Sequence, residues 1–225
     1  PGEAKSVQRY ANVIAGLLDS VGLNYTMLSD ADVSAGRLEG MKLAILPYNP
    51  VVPENTSKAL VSYMNRGGKL IACYCLRGKL AEHAGIRMGP HVRQKYAGHF
   101  ASIRPGPGER IEGMPDATRQ ASWNINNASA IKGRSRVAAW WRDKDGKSTE
   151  LAAVILSDKC AFMTHVMLGD DLRNKQMLLL AMAGSLVPEI WAQAAKASLR
   201  NAGRFEPYEN RQAAIKGIAG EIGRS

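Results

Sequence analysis

Cys75 stands where a nucleophile would stand. In "NRGGKLIACYCLRGKLAEHAG" (Asn65 to Gly85) a glycine pair opens an apolar run, the run ends on cysteine, and a helix-like segment follows at once. A thiol on a sharp strand-to-helix turn can do acyl-transfer chemistry if a histidine base and an orienting carboxylate reach it. The same shape without those partners is a leftover of the chemistry. Four histidines are present: His83, His91 and His99 follow the turn, and His165 lies in "THVML". Arg77, two residues beyond Cys75, would favour the thiolate. His165 sits between Thr164 and Val166 with Phe162 and Met167 nearby, a setting that suits a hydrogen-bonded packing residue better than a base.

Two further places carry ligand chemistry. "YNP" (Tyr48 to Pro50) closes an apolar run at what would be the carboxyl edge of a sheet, where open α/β folds bind ligands. Tyr48 and Asn49 can both donate hydrogen bonds there, and Asn49 equally suits a turn. Trp140 and Trp141 would point to opposite faces of a strand. One belongs in the core, and the other, with Trp141 as the weak candidate, has the flat surface on which a sugar ring stacks, although core or interface packing suits both better. Gly67–Gly68 read as a helix-ending turn, because no GxGxxG or Walker pattern follows a strand.

Composition narrows the classes. Of 225 residues, 45% are hydrophobic and 22% charged, enough apolar matter for a sizeable core. The formal net charge of +10 is spread singly along the chain, and the densest cluster is only "KGRSR" (Lys132 to Arg136). That pattern favours solubility or a diffuse attraction for anionic polymers, and nucleic acid is not an expected partner. No apolar run approaches the ~18 residues of a membrane span. "PGEAKSVQRY" lacks the charged-then-apolar build of a signal peptide. No CxxC pair or histidine cluster has ligand spacing, so neither a metal nor another cofactor is expected. Cys73 and Cys75 are too close in sequence to bridge on a strand, so all three cysteines are expected to be free.

The elements that must position these residues follow from periodicity. Residues 4–21 carry apolar side chains at helical spacing and stop at Gly22. "NYTMLSD" alternates and predicts a strand near 25–29, with Ser29 or Asp30 capping a short helix. "MKLAILPYN" (42–48) and "KLIACYC" (69–74) are continuous apolar runs, suited to strands buried on both faces. A helix starting near Pro53 joins them. Strands alternating with helices predict a parallel sheet with helices on both faces. Later, "YAGHFASIRP" is strand-like and precedes a Gly/Pro-rich loop. Residues 136–168 read as three antiparallel strands, the first two joined at "DKDG" and the third entered near "SDK". Two helical segments broken at Pro188 follow. A sheet of this kind normally opens on a central strand, whereas this chain opens on a helix. A short apolar strand is therefore expected immediately before Pro1, at the sheet centre beside 42–48 and 69–74, or else the slot is filled by a later segment or a neighbouring chain.

"IAGLLDSVGLNYTMLSDADVSAGRLEGMKLAILPYNPVVPENTSKALVSYMNRGGKLIACY" resembles the class I glutamine-amidotransferase-like domain of bacterial glycoside hydrolases. It is similar to the trimerisation domain of β-galactosidases and to the domain following the barrel in the family-10-like group. "AAWWRDKDGKSTELAAVILSDKCAFMTHVMLGDD" resembles the closing hairpin of the same domain, so the likeness runs from about Glu3 to Trp191. It implies an α/β fold, a flavodoxin-like or class I amidotransferase-like three-layer sandwich with a mainly parallel sheet and an antiparallel C-terminal extension. Residues 1–200 would form that domain and 201–225 a helical linker or tail. True members hold the nucleophile as G-x-C-x-G and supply base and carboxylate as H-x-E. Here the turn reads "CYCLRG", Leu76 crowds the place of a small residue, and Met167 stands where H-x-E needs a carboxylate.

The resemblance implies a non-catalytic accessory domain of a bacterial glycoside hydrolase, structural, oligomerising or carbohydrate-handling. The catalytic barrel would lie outside this chain, which is too short to hold one of ~250 residues. Expected partners are the rest of the parent chain, a second copy and carbohydrate, in a secreted or periplasmic setting. Two alternatives remain open here: a cysteine-dependent amidotransferase-like hydrolase using Cys75, and a small-ligand or sugar-binding module. Catalytic residues are expected to be none, with Cys75 the weak candidate. Tyr48, Asn49, Arg77 and Trp141 are the weak ligand-binding candidates.

Overall fold

A computed structural model describes residues 2–108 and 110–202. The chain opens with helix α1 (Gly2–Ser20), whose Tyr10, Ile14, Leu17 and Leu18 form the buried stripe that the spacing requires. Residues 23–29 then join no ladder, although they alternate as a strand would. Alternation fixes which side chains share a face, but a strand also needs a neighbour for its backbone, and none is present among the described residues. Helix α2 (Asp30–Ser34) starts on a capping box in which the Ser29 hydroxyl accepts from the Asp32 amide and Asp32 accepts from the Ser29 amide.

Strand β1 (Leu43–Leu46), helix α3 (Glu54–Asn65) and strand β2 (Lys69–Cys73) form a parallel crossover, with Leu43 opposite Lys69 and Leu46 opposite Ala72. The glycine pair between α3 and β2 has two distinct reasons. Gly67 turns the chain at φ +96°, and a Cβ on Gly68 would lie 2.3 Å from the Tyr63 ring. β2 is fully covered from Leu70 to Cys73, whereas every residue of β1 is only half-buried. The expectation that both runs are buried on both faces therefore holds for β2 and is corrected for β1. The reason is position: β1 is the edge strand.

Helix α4 (Gly78–His83) leads to β3 (Ile86–Arg93), β4 (Phe100–Pro105), β5 (Thr118–Ser122) and β6 (Asn124–Ala130). β7 (Ser135–Arg142), β8 (Ser148–Ser157) and β9 (Cys160–Met163) follow, then α5 (Leu172–Leu186) and α6 (Glu189–Ala202), divided at Pro188. Seven strands make one sheet in the order β1-β2-β9-β8-β7-β4-β5, and β3 with β6 makes a separate antiparallel ribbon. Only β1, β2 and β9 run parallel, and the four remaining pairings are antiparallel. The sheet is mixed, not mainly parallel, and β9, expected in the antiparallel extension, also pairs parallel with β2 through Leu70–Cys160 to Cys73–Met163. The hairpin at Asp143–Gly146 and the turn before β9 stand where the sequence places them.

Helices cover both faces. α1 and α5 bury one side of the sheet with Ile71, Cys73, Trp141 and Met163. α3, α4 and the β3–β6 ribbon bury the other with Leu70, Ala72, Ile155 and Phe162. Each leucine, isoleucine, phenylalanine or methionine side chain so removed from water contributes roughly 1.5–3 kcal/mol. α6 continues through Ala202, past the expected boundary at residue 200, and the expected helical tail lies outside the described residues from 203 onward.

Candidate functional site

The parallel strands deliver their carboxyl ends to one edge, and the chemistry-bearing residues gather there. β1 continues into Tyr48 and Asn49, β2 into Tyr74 and Cys75, and β9 into Thr164 and His165. The Tyr74 amide donates to Met163 O at 2.9 Å, and the Asn126 amide of β6 donates to Thr164 O at 3.0 Å. Asn49 Nδ2 donates to the Cys75 carbonyl, tying the end of β1 to the turn after β2. Asn49 is thus a buried brace, and its Oδ1 is buried without a partner.

The turn after β2 has the strain of a nucleophile elbow, displaced by one residue. Tyr74 has φ +79°, and the Cys75 amide donates to Cys73 O at 3.1 Å, closing a three-residue γ-turn of the rarer, strained form. A bulky residue at positive φ costs on the order of 1–3 kcal/mol and persists only where its surroundings hold it. Cys75 comes after that position. It is 6% exposed, and its thiol points at Leu76 O, 3.6 Å away. Cys73 and Cys160 are also buried and free, and burial pushes the Cys73 thiol up to about 12. Arg77 is exposed in the N-cap position of α4, where its side chain makes no capping hydrogen bond.

His165 does not serve that thiol. It is 1% exposed, with Nδ1 3.0 Å from Val166 O and 3.1 Å from Gln120 Nε2. Burial is the main reason its pKa falls to about 4, with Lys175 and His91 adding positive charge nearby. A base that weak is a poor acceptor for a proton near neutral pH. Gln120, itself fully buried, donates to Val166 O at 2.7 Å and accepts from the Leu168 amide at 3.4 Å. The loop beyond His165 is pinned from below by Lys175, whose buried ammonium donates to Leu168 O at 3.0 Å and pairs with Asp170.

Trp141 is corrected from a surface platform to a core residue. It is 0% exposed and donates from Nε1 to Thr164 Oγ1 at 2.9 Å, so no sugar reaches it. The exposed indole is Trp123, at 48%, in the bend between β5 and β6. Its ring meets His165 edge-on at 5.2 Å, His165 meets Tyr74 at 6.3 Å, Tyr74 meets Tyr48 at 5.0 Å and Tyr48 meets Tyr10 at 5.4 Å. Five rings thus form a continuous row across the carboxyl edge. Burial raises the Tyr48 phenol, helped by Tyr74, Glu3 and Tyr10, so it stays a neutral donor.

A hollow of about 430 Å³ opens beside Trp123, lined also by Gln94, Arg119, Ser122 and Asp170. A larger one of about 530 Å³, around Arg104, Pro105, Asp116 and Arg142, has no aromatic wall and lies away from the strained turn. Continuity with the aromatic row makes the smaller hollow the better candidate. Sequence reasoning located Tyr48, Asn49 and Cys75 at this edge and missed Tyr10, Tyr74, Gln120, Trp123 and Asp170. A tryptophan inside the otherwise polar "RQASWNINNAS" was the one available signal. Among the described residues, no group of three or more His, Cys, Asp or Glu is placed to hold a metal ion. No described helix is long and apolar enough to cross a membrane.

Comparison with known proteins places the fold alone. No family model and no curated protein matches the chain. Among solved structures it is similar to a ThuA-like protein from Bacteroides uniformis, with a TM-score of 0.56 and 11% identity over 80% of this chain and 83% of that one.

Proposed function

We propose that this chain is a non-catalytic, class I amidotransferase-like accessory domain of a glycoside hydrolase whose barrel lies outside these residues. The supporting observation is the occupant of the strained turn. Tyr74 occupies the strained position, the histidine beside it, His165, is buried and a weak base, and the Cys75 thiol is turned inward onto Leu76 O. The flavodoxin-like three-layer arrangement, in which such a turn follows a central strand, is part of the same proposal. Isolated protein is expected to hydrolyse neither glutamine nor p-nitrophenyl glycosides, and Cys75→Ala is expected to leave both assays at background. Glutaminase turnover lost in Cys75→Ala, with stoichiometric labelling of the thiol by a glutamine-like chloroketone, would overturn this reading in favour of the cysteine hydrolase.

Within that role, the aromatic row favours carbohydrate handling. Trp123 offers an exposed ring face, and Gln94, Arg119 and Asp170 around it offer donors and acceptors of the kind that sugar hydroxyls pair with. The probe is a panel of gluco-, galacto- and xylo-oligosaccharides of three to six units, read by calorimetry. Binding by one class is expected, weakened at least ten-fold by Trp123→Ala with no change in melting temperature. Binding unaffected by Trp123→Ala, or absent throughout the panel, would remove the sugar role and leave a structural one.

A further inference from the structure

The hollow of about 530 Å³ beside β4 and β7 is built around two arginines. In that ladder Ser102 stands opposite Arg142 and Arg104 opposite Trp140, so the two arginines are diagonal neighbours on one face. Ile103 and Trp141 turn the other way, into the cluster under α1 and α5. Side chains of this length reach each other across such a diagonal, and like charges held there repel. Among the described residues, no ion pair or hydrogen bond engages either guanidinium. The acid on the same wall, Asp116, is already committed: it accepts from Arg110 Nη1 at 2.7 Å, and Arg110 is held in turn by Met114 O. The acids of the adjoining hairpin are engaged too. Asp143 accepts from Tyr96 and from the amides of Asp145 and Lys147, and Asp145 lies 3.6 Å from Lys144.

Arg142 carries a second mark. Its Nε is buried and has no hydrogen-bond partner. A donor left in that state costs about 1–3 kcal/mol, and more on a charged group. Two cations brought together, one with an unanswered donor, are a cost that a bound anion would offset. The planar fork of arginine fits the oxygens of a carboxylate or phosphate two at a time, and two such forks around one centre suit a tetrahedral oxyanion. The wall leaves room for the body that carries it. Gly106 and Gly146 add no side chain, and a Cβ on Gly146 would meet nothing within 4 Å. Small-molecule sites occupy roughly 300–1,000 Å³, so this hollow takes more than a bare ion.

We propose that this hollow binds a small phosphate or sulfate monoester, its tetrahedral oxyanion seated between Arg104 and Arg142 and Arg142 Nε turned to one of its oxygens. The site shares no lining residue with the hollow beside Trp123, and the inference is independent of the functional reading. The probes are glucose 6-phosphate, glucose 6-sulfate and glucose itself, which differ only in the group that the arginines would hold. They are titrated by calorimetry at about 0.15 M salt, where diffuse surface attraction is screened within roughly 8 Å. Binding by at least one ester and none by glucose is expected, and the tighter ester identifies the oxyanion. Arg104→Gln and Arg142→Gln are each expected to weaken it about ten-fold or more, as for the loss of one charge-assisted hydrogen bond. Relief of the repulsion is expected to keep both melting temperatures within about 2 °C of the parent or above it. Arg104 is exposed, so its variant tests the site even if Arg142→Gln melts early. A control with Lys79→Gln and Lys196→Gln removes two exposed cations on α4 and α6 and is expected to bind as the parent does. Failure of both esters to bind overturns the proposal, as does binding kept in the double variant Arg104→Gln/Arg142→Gln. Equal loss in the lysine control also overturns it and assigns the affinity to the net charge of the chain.

Discussion

Trp141→Ala is expected to lower the free energy of unfolding by about 3–5 kcal/mol, measured by urea denaturation. Trp141 is among the largest side chains with no exposed surface, and it packs against Phe100 at 5.7 Å between ring centroids. Truncation leaves a cavity in the cluster that binds α1 and α5 to the sheet, and those helices cannot close it without leaving their other contacts. Trp141→Phe separates packing from hydrogen bonding. It keeps most of the apolar volume and removes the Nε1 donor to Thr164, whose hydroxyl still donates to Ala152 O at 2.9 Å. That variant is expected to lose about 1–2 kcal/mol. An alanine variant as stable as the parent would show that Trp141 is not the core residue described.

The effect reaches the candidate site through the backbone. Thr164 accepts from Asn126 and donates its own amide to Ala153 O, so it anchors the segment that carries His165. A sugar-binding defect in Trp141→Ala at a temperature where it remains folded would follow from that anchor, not from lost stacking. Trp123→Ala is expected to show the reverse pattern, with the proposed binding weakened and stability kept.

How much of this was legible depended on which signals a residue type carries. β1 and β2 were legible because continuous apolar runs bounded by turn residues have few other readings, and the β7–β8 hairpin because Asp145-Gly146 suits a tight turn. β3, β5 and β6 were not, because "IRMGPHVR", "TRQAS" and "NINNASA" carry little apolar periodicity and include a glycine and a proline. Residues 25–29 show the opposite failure, a clean alternation with no partner strand. The strained position was misplaced by one because positive φ is read from glycine, and here a tyrosine adopts it. The two tryptophans of β7 were read correctly as facing opposite ways, but parity alone cannot say which way is in. The one that goes in is Trp141, beside Thr164.

Stability is expected to fall as pH drops from about 6.5 to about 4, with His165 the largest single cause. Its folded pKa is about 4 against an ordinary 6.5, so the unfolded chain takes up the proton first as pH falls. The contribution of the neutral, buried ring is fully present above 6.5, is lost through that window and changes little below it. Integrated over the window, the shift corresponds to about 3 kcal/mol, at 1.36 kcal/mol per unit. The groups facing the ring sharpen this: Lys175 and His91 both oppose a second positive charge, and the Val166 carbonyl only partly offsets them. His83 and His99 are shifted in the same direction, chiefly by burial, and add a shallower slope. His165→Gln removes the titrating group while keeping an amide that can reach Val166 O and Gln120. Urea titrations at pH 7.0, 5.5 and 4.5 should show the parent losing stability steeply and the variant losing only the smaller share of His83, His99 and, near pH 4.5, the lowered carboxyls of Glu54 and Glu189. Parallel curves for the two proteins would mean that His165 is hydrated and titrates normally, and would reopen it as a base at the carboxyl edge beside Tyr74.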